Sequence, residues 1–267
     1  MYQSHWGLQQ SPFGCCLDPR LFYESPTHEE AMARLHFLVD QRRRLGLLMG
    51  CAGSGKSLLL RVFAEELRER GATVAELNLL AVEPAEMLYM LAAGFEMNLD
   101  PADSSARLWR AITDRLAEHR YRQLDTVVLL DDADRAEQQT IDQVARLAAH
   151  DPSPESRLTI VAAGQRERMG RLGQQLLELA ELRIDVETWG QSETADFLRA
   201  ALSQAGRQTP LFADPAVARL HQLSHGIPRR ISRLAELALL AGAGAKLQQI
   251  DAEVVESAYH ELDVVEV

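Results

Sequence analysis

Leu45-Gly46-Leu47-Leu48-Met49 runs directly into Gly50-Cys51-Ala52-Gly53-Ser54-Gly55-Lys56-Ser57, and Leu58 continues into an apolar helical pattern. The short apolar run reads as a strand, and residues 55–70 read as a helix closed by Gly71. Between them, eight residues match G-x-x-x-x-G-K-[ST] without a mismatch. In such a loop the glycines let the backbone curl until successive N–H groups converge on phosphate oxygens, helped by the positive end of the helix dipole. Gly50, Cys51, Ala52, Gly53, Ser54, Gly55, Lys56, Ser57 and Leu58 are therefore the candidate nucleotide-binding residues. Lys56 supplies a cation for the β- and γ-phosphates, and the Ser57 hydroxyl supplies a ligand for Mg²⁺. Of the 28 basic residues only Lys56 and Lys246 are lysines, so the motif takes its cation from a scarce type.

Working outward from this loop, strands and helices alternate. Residues 73–77, 126–130, 157–163 and 182–187 read as further strands, and 86–95, 106–122, 140–149 and 172–180 as helices. Asp103 and Ser104 are capping signals ahead of the 106–122 helix. Thr126-Val127-Val128-Leu129-Leu130 has no polar interior, as a strand buried on both faces requires. Five strands with intervening helices imply an α/β fold, a parallel sheet covered on both sides. After Trp189 the alternation stops, and helices at 193–205, 215–225, 228–240 and 252–262 follow, with Asp214-Pro215 and Asp251 as N-terminal signals. Ahead of the first strand, an irregular lead with Pro12, Pro19 and Pro26 ends in a helix over 27–41. Thr27 caps that helix, and Glu30 completes a capping box. Arg42, Arg43 and Arg44 then form a solvated corner. The expected division is a lead and helix at 1–44, an α/β core at 45–189 and a helical domain at 190–267.

Composition narrows the class. With 267 residues, 46% hydrophobic and 25% charged, the chain is globular and not disordered. A net charge of −11 argues against a nucleic-acid binder that works by bulk positive charge. No apolar run approaches the ~18 residues of a membrane span, and residues 1–10 lack a signal-peptide pattern, so a cytosolic protein is expected. Cys15, Cys16 and Cys51 cannot all pair and have no metal-ligand spacing. His221 and His225 lie four apart, but Gln222 stands where a zinc-protease motif has glutamate, so no metal is read there.

A phosphate loop needs a carboxylate at the end of a neighbouring buried strand. The 126–130 run leads straight into Asp131-Asp132. Asp131 would hold Mg²⁺ through water, and Asp132 would orient or deprotonate the attacking water. The alternative for each is a solvated turn acid or a cap for the next helix. Gln165 ends the fourth strand, where an amide can contact the γ-phosphate or the lytic water; a surface turn amide is the alternative. Arg229 follows Gly226-Ile227-Pro228 near a helix N-terminus that can face the nucleotide. Arg183, placed just before the fifth strand and beside the 172–180 helix, could reach a neighbouring subunit. A structural salt bridge is the alternative for both arginines.

With these residues in hand, the chain resembles the AAA+ ATPase domain of the general secretion pathway protein A (ExeA/GspA) type, related to transposition ATPases of the TnsC/TniB/MuB kind. The resemblance covers nearly the whole chain. It includes Tyr2, Phe13, Asp18-Pro19-Arg20 and Tyr23-Glu24-Ser25-Pro26-Thr27-His28, then the phosphate loop, residues 127–133, Gly164-Gln165 and Gly226-Ile227-Pro228-Arg229. It implies a P-loop sheet ordered 5-1-4-3-2, a C-terminal helical lid, and nucleotide-dependent rings or filaments with ATP sites at subunit interfaces. It further implies that Asp131 and Asp132 are the Walker B pair, Gln165 sensor 1, Arg229 sensor 2 and Arg183 the arginine finger. The second acid departs from the family's usual glutamate by one methylene, so slow hydrolysis is expected. The membrane span and peptidoglycan-binding region of secretion-type members have no counterpart in these 267 residues and are not carried over. The expectation is a Mg-ATP-hydrolysing, self-assembling switch or assembly factor that acts on another protein in a secretion or export process. Two alternatives stand beside it. One is a transposition-type DNA-associated regulator, in which Arg42, Arg43 and Arg44 would form a basic ring once multiplied in an oligomer; the other is a nucleotide-binding module with little hydrolysis.

Overall fold

A computed structural model describes residues 2–14 and 18–263; Cys15 and Cys16 lie outside the described residues. In chain order it forms α1 (Tyr2–Trp6), α2 (Pro26–Asp40), β1 (Leu45–Gly50), α3 (Lys56–Glu69), β2 (Thr73–Asn78), α4 (Pro84–Gly94) and α5 (Ser105–Tyr121). Then come β3 (Thr126–Asp131), α6 (Gln138–Ala148), β4 (Leu158–Gly164), α7 (Gly173–Leu179) and β5 (Leu182–Val186). The remainder is helical: α8 (Gln191–Gln204), α9 (Asp214–Ser224), α10 (Pro228–Gly244) and α11 (Ala252–Asp263).

The five strands form one parallel sheet in the order β2-β3-β4-β1-β5, which is the expected 5-1-4-3-2 order counted from the other edge. Every residue of β1 and β4 is buried, so both pleat faces of the central strands are covered. That is why their sequences, Thr159 apart, are apolar runs that do not alternate. The edge strand β5 does alternate, with Ile184 and Val186 buried and Arg183 exposed. Among the described residues no helix is long and apolar enough to cross a membrane.

The chain forms two compact units. One comprises His28–Ala52 and Lys56–Val186 and holds the sheet. The other comprises Met1–Thr27, Gly53–Gly55 and Glu187–Val267. The expected 1–44 segment is thus divided, with α2 almost wholly in the α/β unit and the lead in the helical one. The lead is also less irregular than its prolines suggested, because it carries α1 and a 3-10 turn over Pro19–Leu21. Its aromatic residues explain this. Trp6 is buried and its Nε1 donates to the Leu239 carbonyl at 2.8 Å. Phe13 lies 5.9 Å from the Phe197 ring, and Tyr23 meets Trp189 edge-on at 5.6 Å.

Two helix starts differ from expectation. α2 begins at Pro26, where proline's missing N–H costs nothing. Thr27 is therefore inside the helix, and its hydroxyl accepts the Glu187 N–H at 3.2 Å instead of capping. α9 begins on Asp214 itself behind Ala213, with no side-chain cap. Ser104 does cap α5 by accepting from the Arg107 N–H, and Asp251 accepts the Val254 N–H at 3.0 Å. In the arginine corner, Arg43 pairs with Glu181 at 3.1 Å and Arg44 donates to the Pro152 carbonyl at 2.7 Å.

Within the helical unit, Gly226 follows α9 with φ of +69°, and a Cβ there would stand 2.1 Å from the Trp189 carbonyl oxygen. The same pair is joined by the Trp189 N–H donating to the Gly226 carbonyl at 2.9 Å. Both the dihedral and the close approach demand glycine. Gly226→Ala is expected to lower unfolding stability by about 2–3 kcal/mol through backbone strain alone; a parental urea midpoint would contradict this.

Candidate functional site

β1 delivers the chain to Gly50 at the carboxyl edge of the sheet, and α3 takes it away from Lys56. Between them Gly53 and Gly55 hold φ of +83° and +99°, in a region closed to most side chains, and these curl the loop. A Cβ on Gly53 would also lie 2.9 Å from the Cβ of Arg229, whose N–H donates to the Gly53 carbonyl at 3.2 Å. The loop residues at positions 53, 54 and 55 group with the helical unit, as Arg229 does.

The Lys56 ammonium donates to the Gly50 and Cys51 carbonyls, at 2.9 Å each. Burial pushes its pKa below the usual lysine value, while Cys51, Asp131, Asp134 and Asp132 pull it back up. The ammonium is therefore partly desolvated, with the loop's own carbonyls as its hydrogen-bond acceptors.

Two of those acids are the expected pair. Asp131 is the last residue of β3, and its Oδ1 accepts the Asp132 N–H at 3.0 Å. Asp132 adopts a left-handed conformation, φ +51° and ψ +32°, at the start of a 3-10 turn over Ala133–Arg135. Aspartate tolerates this region better than most residues, though at a cost. Its side chain makes no capping bond, which removes the cap alternative. Instead the carboxylate accepts from Asn78 Nδ2 at 3.0 Å, while Asn78 Oδ1 accepts the Leu80 N–H at 2.9 Å. Asn78 was not among the residues read from the sequence. It closes β2 in register with Asp131, a relation that becomes visible only when β2 and β3 are known to pair.

Asp134 was missed too. It is fully buried, and neither carboxylate oxygen has a hydrogen-bond partner among the described residues. It packs beneath the end of β4, where a Cβ on Gly164 would lie 2.7 Å from Asp134 Oδ1. Gln165 comes next, half-buried at the start of a 3-10 turn and without a side-chain capping bond. Arg183 lies within β5, paired in register with Leu47 of β1, and its guanidinium is bound to Asp185. The salt-bridge alternative for Arg183 is thus realised in the isolated chain. Arg229 is exposed and makes no ion pair among the described residues.

This constellation fits a polyphosphate and a divalent ion together. Among the described residues no group of three or more His, Cys, Asp or Glu could hold a metal by itself. Mg²⁺ characteristically takes one or two protein ligands and completes its shell with substrate phosphates and water, which matches a site offering Ser57 and Asp131.

Comparison with known proteins agrees with this geometry. General secretion pathway protein A of Aeromonas hydrophila is 28% identical over 245 residues, covering 90% of this chain and 45% of that protein. The chain thus spans less than half the length of that relative. Among solved structures, Drosophila ORC bound to DNA superposes with a TM-score of 0.72 at 15% identity, covering 98% of this chain and 65% of the other. The Aeropyrum pernix ORC1 protein in complex with DNA gives 0.69 at 18% identity (92% and 68%). The Thermotoga maritima RuvB Holliday junction branch migration motor gives 0.61 at 16% (88% and 69%). At such identities these neighbours establish the fold. The AAA domain family model matches residues 39–172, from the end of α2 to the turn that follows β4, and the chain belongs to that family.

Proposed function

We propose that this chain binds Mg-ATP at residues 50–58, hydrolyses it slowly, and works as a self-assembling switch on another protein in a secretion or export process. The observation that carries the reading is the complete phosphate loop between a buried strand and a helix, with Asp131 and Asp132 ending the strand two places away. Lys56 would leave the Gly50 and Cys51 carbonyls for the β- and γ-phosphates, exchanging two neutral acceptors for charged ones. Ser57 and Asp131 would hold Mg²⁺, which neutralises charge on the phosphate oxygens when bound. Asp132 would orient the attacking water and take its proton once its carboxylate leaves Asn78. Gln165 would contact the γ-phosphate side of the site. The support for Arg229 as the residue that tells ATP from ADP is its backbone bond to Gly53. Arg183 would act on a nucleotide held by a second copy. The secretion reading rests on the relative from Aeromonas hydrophila.

Two features weigh against the DNA-associated alternative: the net charge of −11, and the engagement of Arg43 and Arg44 with Glu181 and Pro152. Salt-dependent DNA binding in the presence of ATP would restore it.

Lys56→Ala is expected to lose most ATP affinity by calorimetry while its apo unfolding curve stays parental, since no other basic residue lies in the loop. Equal affinity in variant and parent would remove the loop from nucleotide binding.

Asp132→Asn is expected to abolish phosphate release with ATP still bound. Asp132→Glu should match or exceed the parental turnover, because misplacement of a reacting group by about 1 Å can cost ~10²-fold. An Asn variant as active as the parent would take Asp132 out of the chemistry.

A further inference from the structure

The amino ends of β3 and β4 lie at the edge of the sheet opposite the phosphate loop, about 20 Å away along β4. A cavity of about 160 Å³ opens there between α5 and the 150–157 segment. Arg120, Thr126, His150, Asp151, Ser156 and Arg157 supply its polar lining. Its volume is several times the ~30 Å³ taken by one water. All of these residues belong to the α/β unit.

The polar groups around the cavity are unevenly used. Arg157 Nη1 donates to Asp125 Oδ1 at 2.7 Å, and Arg120 Nη1 donates to Asp151 Oδ2 at 2.9 Å. On both arginines the side-on edge formed by Nε and Nη2 has no acceptor among the described residues. Ser156 is buried, and its hydroxyl makes no hydrogen bond among the described residues. The acceptors are already engaged. Asp151 Oδ1 takes the Ser153 N–H at 3.0 Å, and Thr126 Oγ1 is bonded to His119 Nδ1 at 2.9 Å. Donors are therefore in excess.

That excess decides the ligand class. The Arg157 side chain is only 15% exposed, so its open edge is largely cut off from bulk water. A buried donor left without an acceptor is costly. Net charge is a weaker guide, because Asp125 and Asp151 offset the two arginines and the carboxyl ends of α5 and α6 bring partial negative charge. A cation would compete with Arg120 and the Ser153 N–H for the one lining carboxylate. An oxyanion accepts from both guanidinium edges, the pairing in which arginine recognises phosphate.

We propose that this cavity binds a small phosphate-type oxyanion, held by Arg157, Arg120 and the Ser156 hydroxyl. The site is separate from the phosphate loop and does not depend on the nucleotide reading given above.

The test uses the full chain, parent and Lys56→Ala, titrated with inorganic phosphate by calorimetry and by thermal unfolding against chloride of equal ionic strength. Saturable binding and a raised unfolding temperature are expected in both, since Lys56→Ala removes only phosphate held at the loop. Arg157→Gln in the Lys56→Ala background should weaken phosphate binding about 10- to 100-fold, the scale of a lost bond to a charged group. If that variant fails to fold, Arg120→Gln carries the test, because its pair with Asp151 is more exposed. Glycerol 3-phosphate that competes with phosphate supports a phosphate monoester as the source, and a site that takes phosphate alone supports the free anion. No saturable binding up to about 10 mM means that the cavity holds water only and overturns the proposal. Binding lost in Lys56→Ala, an effect matched by chloride, or parental affinity in both arginine variants overturns it as well. Tighter binding of succinate than of phosphate overturns the phosphate class.

Discussion

Parallel pairing of β1 between β4 and β5 is the constraint on which the rest of the molecule depends. Parallel strands all end at one edge of the sheet, so every loop leaving a carboxyl end emerges on the same side. Residues far apart in sequence therefore meet there: the loop after Gly50, Asn78 ending β2, Asp131 ending β3 and Gln165 after β4. The pairing also favours apolar residues along the central strands, because helices cover both faces. Within β1 and β4 the one polar side chain, that of Thr159, is itself buried. Groups able to do chemistry at this edge thus sit at the strand ends and in the turns that follow them.

The edge so formed has a definite electrostatic character. The charges of Asp131, Asp134 and Asp132 counter the effect of burial on the Lys56 ammonium. Asp134 is the least compensated of the three, since burying a carboxylate whose oxygens have no hydrogen-bond partner is costly. Gly164 has no side chain where Asp134 packs, so the acid is accommodated by the shape of β4's end and not by a donor. Asp132 carries a second cost in its left-handed backbone and is held there by Asn78. Costs of this kind persist only where surrounding structure enforces them. Here the enforcing structure is the β2–β3 pairing, which brings Asn78 alongside Asp131.

What was legible in the sequence follows from the range of the interactions involved. The phosphate loop is local: glycines, lysine and serine act within eight consecutive residues, so their spacing carries the whole signal. Strand identity is nearly local, because burial on both faces is written as unbroken apolar runs. Asn78, by contrast, is 54 residues from Asp132 and acts only through strand pairing, and Arg166 is 19 residues from Asp185. The lead was misjudged for a related reason. Its prolines are local breakers, whereas Trp6 finds its partner at Leu239, 233 residues away. Thr27 and Glu30 have the spacing of a capping box, yet Pro26 starts the helix one residue earlier and the hydroxyl serves Glu187 instead.

The distribution of charge bears on how copies of this chain could meet. A net charge of −11 sets like-charged molecules against each other at long range, but that repulsion is screened over about 8 Å at physiological ionic strength. At contact distance only local groups matter, and these are not uniformly acidic. On the edge strand β5, Asp185 accepts bonds from Arg183 and from Arg166 of the turn after β4, whereas the end of β3 and the turn that follows it supply the acids whose charges act on Lys56. Bulk charge thus describes solubility and long-range repulsion, while contact between molecules is decided by local groups.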